Sequence, residues 1–113
     1  MTEPTMDTLA EDLLLYGGWK RKGAGWYIAD RRECKSDPNP ISLDWLSRWI
    51  WPKLGEPTIS IELLPIGYIL GVQFEAELNW ADASRRSKAG WGATRAEAAA
   101  RATWAAIQEA KHD

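Results

Sequence analysis

Residues 68–80 read Tyr-Ile-Leu-Gly-Val-Gln-Phe-Glu-Ala-Glu-Leu-Asn-Trp. Tyr68, Leu70, Val72, Phe74, Ala76, Leu78 and Trp80 are apolar at the even positions, while Gln73, Glu75, Glu77 and Asn79 are polar. Successive side chains of a strand point to opposite faces, so this period of two describes a strand with one face on a core and one in water. Ala81-Asp82-Ala83-Ser84 reads as a four-residue hairpin loop, with Arg85 to Trp91 returning as the second strand. Placing Trp80 opposite Arg85 sets Glu77 against Lys88 on the polar face and Phe74 against Trp91 on the apolar face. Both pairs are favourable, and a slip of one residue would reverse the faces.

Working outward, Ile59, Ile61 and Leu63 alternate with Ser60 and Glu62, which predicts a further half-buried strand upstream. Downstream, Thr94 and Glu97 have capping-box spacing and open a helix to about Ala110. Its inward stripe is expected at Ala96, Ala100, Thr103, Trp104 and Ile107, and the remaining alanines allow close approach to a sheet. Ser42 is a good N-cap for a central helix from Leu43 to about Trp51, with Asp44 in its first turn and Pro52 at its end. Near the N-terminus, Met6, Leu9, Leu13 and Tyr16 recur at helical spacing from about Thr5, and Gly17-Gly18 stop that helix. Residues 19–22 and 26–30 flank Gly23-Ala24-Gly25 as a short hairpin, and residues 31–41 read as a polar loop. The order is α-β-β-α-β-β-β-α. It predicts one α+β domain over residues 1–113, an antiparallel sheet with packed helices in a two-to-three-layer sandwich.

Composition narrows the chemistry. A chain of 113 residues suits a single domain, and no apolar run approaches the roughly 20 residues that span a bilayer. The first residues carry Glu3, Asp7, Glu11 and Asp12 and no basic group, unlike a signal peptide, so a cytoplasmic location and no membrane partner are expected. Cys34 is the only cysteine and His112 the only histidine, which removes internal disulfides, multi-thiolate metal sites and the His-dependent triads unless the tail takes part. Net charge is −2, so overall charge does not drive nucleic-acid binding. Eight tryptophans against one phenylalanine is an unusual ratio, and Trp serves both interfaces and cores.

Several anchors occur together: Gly18-Trp19 after the first helix, Gly25-Trp26-Tyr27, Pro40-Ile41-Ser42-Leu43-Asp44 opening a helix that carries Trp49 and reaches Lys53-Leu54, and Gly90-Trp91-Gly92-Ala93-Thr94 with Glu97-Ala98 before an Ala-rich helix. In this order they resemble the phage ABA-sandwich domain family, and they cover nearly the whole chain. The resemblance implies a small accessory protein of phages or prophages and carries no shared activity with it.

Four groups of residues are candidates for a site. Glu62, Glu75 and Glu77 have the chemistry of paired carboxylates, but their alternation puts them on a solvated strand face within reach of Arg86 and Lys88, so a salt-bridged surface is expected. Basic residues cluster at Lys20, Arg21, Lys22 with Arg31, Arg32, Lys35, and at Arg85, Arg86, Lys88 with Arg95 and Arg101. Trp19, Trp26 and Tyr27 interleave the first cluster, a pattern suited to phosphates and stacked bases. Gly90-Trp91-Gly92 lacks the phosphate-loop pattern, and its glycines read as a release from strand into helix. Trp45, Trp49 and Trp51 are the sharpest binding candidates. Leu43, Leu46 and Ile50 already supply a core stripe on that helix, so at least one of these tryptophans is expected on the surface. Cys34, beside Arg31, Arg32 and Lys35, reads as an incidental loop thiol.

The expected function is therefore that of a phage or prophage accessory protein in the host cytoplasm, binding a host or phage protein stoichiometrically. Interference with a bacterial defence complex is one concrete form. Trp45, Trp49, Trp51, Lys20, Arg21 and Lys22 are the expected contact residues, with no enzyme activity, cofactor or metal. The alternatives are a nucleic-acid-binding module using Arg85, Arg86 and Lys88 as well as the first strip, and a self-associating structural component.

Overall fold

Each helix begins where its sequence provides a cap. In a computed structural model that describes residues 4–23, 25–28, 33–35, 39–64, 73–80 and 87–112, Thr5 precedes helix α1, Met6–Tyr16, and its hydroxyl accepts from the Thr8 amide. Ser42 precedes α2, Leu43–Trp49, and accepts from the Trp45 amide. Thr94 precedes α3, Arg95–His112, and accepts from the Glu97 amide at 3.0 Å, while the Glu97 carboxylate accepts from Ala93 N–H at 3.0 Å. These bonds satisfy amides that the first helical turn leaves without partners. Pro52 ends α2 early, and Trp51–Leu54 continue as a 3-10 turn closed by Gly55 at φ 90°, a conformation that favours glycine.

The strands are β1 Lys20–Lys22, β2 Gly25–Ile28, β3 Glu33–Lys35, β4 Thr58–Leu64, β5 Gln73–Asn79 and β6 Ser87–Gly92. They form two three-stranded antiparallel sheets, β1-β2-β3 and β4-β5-β6. The fold is α+β in the expected order, with β3 added inside the stretch that had read as a polar loop. Residues 65–72 and 81–86, which include the start of the long alternating run and the hairpin loop, lie outside the described residues.

The main core lies between the β4-β5-β6 sheet and the helices. Ala76, Leu78 and Trp80 enter it from the β5 side, Leu9 and Leu13 from α1, Leu46 and Ile50 from α2, and Ile107 with several alanines from α3. Each large aliphatic side chain buried there contributes about 1.5–3 kcal/mol relative to exposure. Ala98, Ala99, Ala100, Ala102, Thr103, Ala106 and Ile107 are all buried, whereas Ala96 and Trp104 are only half-buried. The buried part of α3 is wider than the predicted stripe because α3 packs on the sheet and also meets α1 and α2. A second, smaller core joins Leu14, Trp19, Trp26 and Ile28, with Trp45 and Trp49 of α2 packed against both.

The pairing of β5 with β6 corrects the sequence register by one residue. Phe74 lies opposite Gly92, Ala76 opposite Gly90 and Leu78 opposite Lys88, while Glu75 lies opposite Trp91 and Glu77 opposite Ala89. Glu77 therefore does not face Lys88, and Trp91 is not on the core face. The cause is the closeness of α3. A β-carbon on Gly90 would sit 2.7 Å from the Ala98 carbonyl oxygen and closer still to the Ala102 amide nitrogen. One on Gly92 would meet Glu97 at 2.7 Å and Ala98 N at 2.9 Å. Only glycine fits beneath this helix, so Gly90 and Gly92 take the inner face and Trp91 is turned outward. These glycines serve packing against α3, and Gly92 is also the last residue of β6 before the turn into that helix.

Candidate binding surface

The three tryptophans near the central helix do not form an exposed patch. Trp51 is buried, and its indole N–H donates to Thr103 Oγ1 at 3.0 Å; the Thr103 hydroxyl donates in turn to the Ala99 carbonyl at 2.7 Å. Trp45 and Trp49 are half-buried, with ring centroids 6.4 Å apart. Trp49 also meets Trp19 edge-on, centroids 5.4 Å apart at 74°. The expectation of a surface tryptophan on this helix fails because the second core covers the side that the first leaves open. A cost of that packing is visible at Trp19, whose buried indole nitrogen has no hydrogen-bond partner among the described residues.

The basic candidates are divided between the sheets. Lys20 and Arg21 are exposed on β1, where the Arg21 guanidinium lies 4.8 Å from the Trp26 ring centroid and 4.0 Å from a Glu11 oxygen. Lys22 ends the same strand, paired with Gly25. Trp26 itself is buried, so its face is not open for a base to stack on. Lys88 belongs to the other sheet and reaches Glu109 of α3 at 2.8 Å. Arg95 lies over Phe74, and Arg101 is bonded to Glu97 and the Pro4 carbonyl. Arg85, Arg86, Arg31 and Arg32 lie outside the described residues, and Cys34 sits on β3 opposite Tyr27.

The outer face of β4-β5-β6 adds Trp91 to the three carboxylates that the sequence had grouped on a solvated strand face. Cross-strand pairing lays out one row of Glu62, Glu75 and Trp91, and a second of Ser60, Glu77 and Ala89. Glu62 and Glu75 are directly opposed like charges, an arrangement that is unfavourable without a cation. A depression of about 140 Å³ lies among Ser60, Glu62, Glu75 and Glu77. Asn79 donates to Glu77 at 2.9 Å; of the two cations expected to neutralise this face, Lys88 is engaged on the other side of the sheet and Arg86 lies outside the described residues. Trp91 closes the first row with 42% of its surface exposed, the only tryptophan among the exposed large apolar residues that are described. Sequence reasoning grouped the three carboxylates but left Trp91 out, because the register that set Glu77 against Lys88 put Trp91 on the apolar face opposite Phe74. The signal was present in Gly90 and Gly92, which flank it at alternate positions.

A broader open groove of about 610 Å³ runs between the starts of α2 and α3, lined by Ile41, Leu43, Phe74 and Arg95 among others. The Glu97 carboxylate already occupies the anion-binding position at the start of α3. No group of three or more His, Cys, Asp or Glu residues suited to a metal ion occurs among the described residues, and none of the described helices is long and apolar enough to cross a membrane. No family model, curated protein or solved structure matches this chain.

Proposed function

We propose that this protein is a stoichiometric binding protein whose contact surface is the outer face of β4-β5-β6, and that the partner presents an arginine- or lysine-bearing segment of a protein. The exposed indole of Trp91 beside the opposed carboxylates of Glu62 and Glu75 carries this reading. A cation between them relieves the carboxylate repulsion and lies against an aromatic face, an interaction of about 0.5–2 kcal/mol for the cation and ring alone. Trp is also among the residues most enriched at the energetic centres of interfaces. The resemblance of its sequence anchors to the phage family supports reading this binding protein as an accessory factor that acts on a host or phage protein in a bacterial cell. Blocking a basic surface of a host defence complex is the concrete form we favour.

The test is affinity capture from nuclease-treated bacterial lysate with four tagged proteins: wild type, Trp91→Ala, Glu75→Lys and Arg21→Glu. A discrete protein held by wild type and Arg21→Glu, and lost with both sheet variants, supports the reading. Capture that survives both sheet variants refutes it. The nucleic-acid alternative has one observation in its favour, the exposed Lys20 and Arg21 on β1. It predicts nuclease-sensitive material, lost with Arg21→Glu and released steeply by salt.

A further inference from the structure

The open edge of β4 and the apolar residue it leaves uncovered point to a second copy of this chain. Among the described residues no strand pairs with the outer edge of β4, and the row of backbone donors and acceptors along it has no strand partner among them. Natural edges are commonly protected by lysine, proline or a bulge. Thr58–Leu64 carries none of these, and its one charge, Glu62, is on the outer face. On the inner face Ile59 and Ile61 are half-buried, but Leu63 is 58% exposed. The reason is the position of α3, which packs over β6 and β5 and scarcely reaches β4.

We propose that two copies pair antiparallel through β4 about a two-fold axis at Ile61, giving a continuous six-stranded sheet. Three properties select this register. It is the one in which all seven residues of the strand overlap, because Ile61 is the midpoint of Thr58–Leu64. It keeps the inner faces of both copies on one side, where Leu63 covers Ile59 of the partner subunit next to the central Ile61 pair. It also sets Ser60 opposite Glu62 of the partner subunit, a hydroxyl donor against a carboxylate. A shift of the axis by one residue to Glu62 would oppose two like charges and lose overlap. α3, which packs over β6 and β5, lies away from the strand that would be shared. The opposite edge, β6, is a weaker template because two of its six residues are glycine.

Sedimentation equilibrium on the full chain over a wide concentration range tests this without any partner, so its outcome is independent of the basic-segment reading. The mass is expected to rise from that of the 12.7 kDa chain toward twice that value. Ser60→Glu places a carboxylate opposite Glu62 in both halves and is expected to hold the protein at monomer mass. Ser60→Lys creates two opposite-charge pairs across the axis, in competition with Glu77 of its own chain, and is expected to tighten the dimer by up to about thirtyfold at low salt. Ser60 is exposed, so both variants are expected to keep the wild-type circular dichroism spectrum. Monomer mass for wild type at every concentration overturns the proposal, as does a dimer equally strong in the two Ser60 variants.

Discussion

Replacing Gly90 with alanine tests the central feature of the fold, the direct approach of α3 to β6. Gly90 does not have a positive φ, so alanine adopts its backbone conformation without strain and any effect is steric. The new β-carbon would lie 2.7 Å from the Ala98 carbonyl oxygen and 2.8 Å from the Arg101 carbonyl carbon, and nearer still to Ala102 N. Ordinary contact begins at 3.4 Å, so α3 must retreat by about 0.7 Å or more. All three obstacles are backbone atoms, and no side-chain rotation relieves them. Overpacking of this kind costs about 1–3 kcal/mol, and the rigid obstacle puts Gly90→Ala in the upper part of that range. Against it, loss of glycine freedom in the unfolded chain returns about 0.4–1 kcal/mol. The net is a loss of about 2 kcal/mol, a large part of a typical stability of about 5–15 kcal/mol. For a domain of this size that is a fall in Tm of roughly 6–12 °C. Urea denaturation and a thermal scan followed by circular dichroism measure it directly. Adding Ala102→Gly is expected to give no rescue, since the obstacle there is a backbone nitrogen. A single variant within about 0.5 kcal/mol of wild type, or full rescue by Ala102→Gly, would refute the close approach and with it the register it imposes.

Thr103→Val keeps the volume of the side chain but strands the buried Trp51 N–H, and a urea titration should show a loss of about 1–3 kcal/mol. A double-mutant cycle between Lys88 and Glu109 should give a coupling of up to about 1 kcal/mol, reduced by salt, because both groups are partly exposed. The same cycle between Lys88 and Glu77 should give none, and coupling there would restore the register read from sequence. Trp91→Ala should leave Tm nearly unchanged, within about 0.5 kcal/mol in stability. Trp80→Ala should cost about 3–5 kcal/mol, since its buried indole also donates to the Leu54 carbonyl at 2.6 Å.

Features that depend on near neighbours were legible in the sequence. Thr5, Ser42 and Thr94 cap helices because a cap needs only the three residues that follow it. Phe74 to Trp80 alternate because a strand points its side chains to opposite faces whatever it packs against. Element order and fold class follow from these local signals.

The position of each element against the others decided the rest. Periodicity says that Trp91 and its neighbours alternate, but not which set faces the core. The register that paired Glu77 with Lys88 and Phe74 with Trp91 put Trp91 inside, whereas the inner set is Lys88, Gly90 and Gly92, because the backbone of α3 lies where side chains would otherwise be. The same fact took Lys88 from Glu77 to Glu109 and left an indole beside two opposed carboxylates on the outer face. The tryptophans of the central helix moved the other way: crowding predicted exposure, but Trp51 entered the main core, and Trp45 and Trp49 packed between it and a second core formed with the small sheet. Local chemistry thus fixed what each segment becomes, while the candidate site arose from the distance at which a helix and a strand could pack.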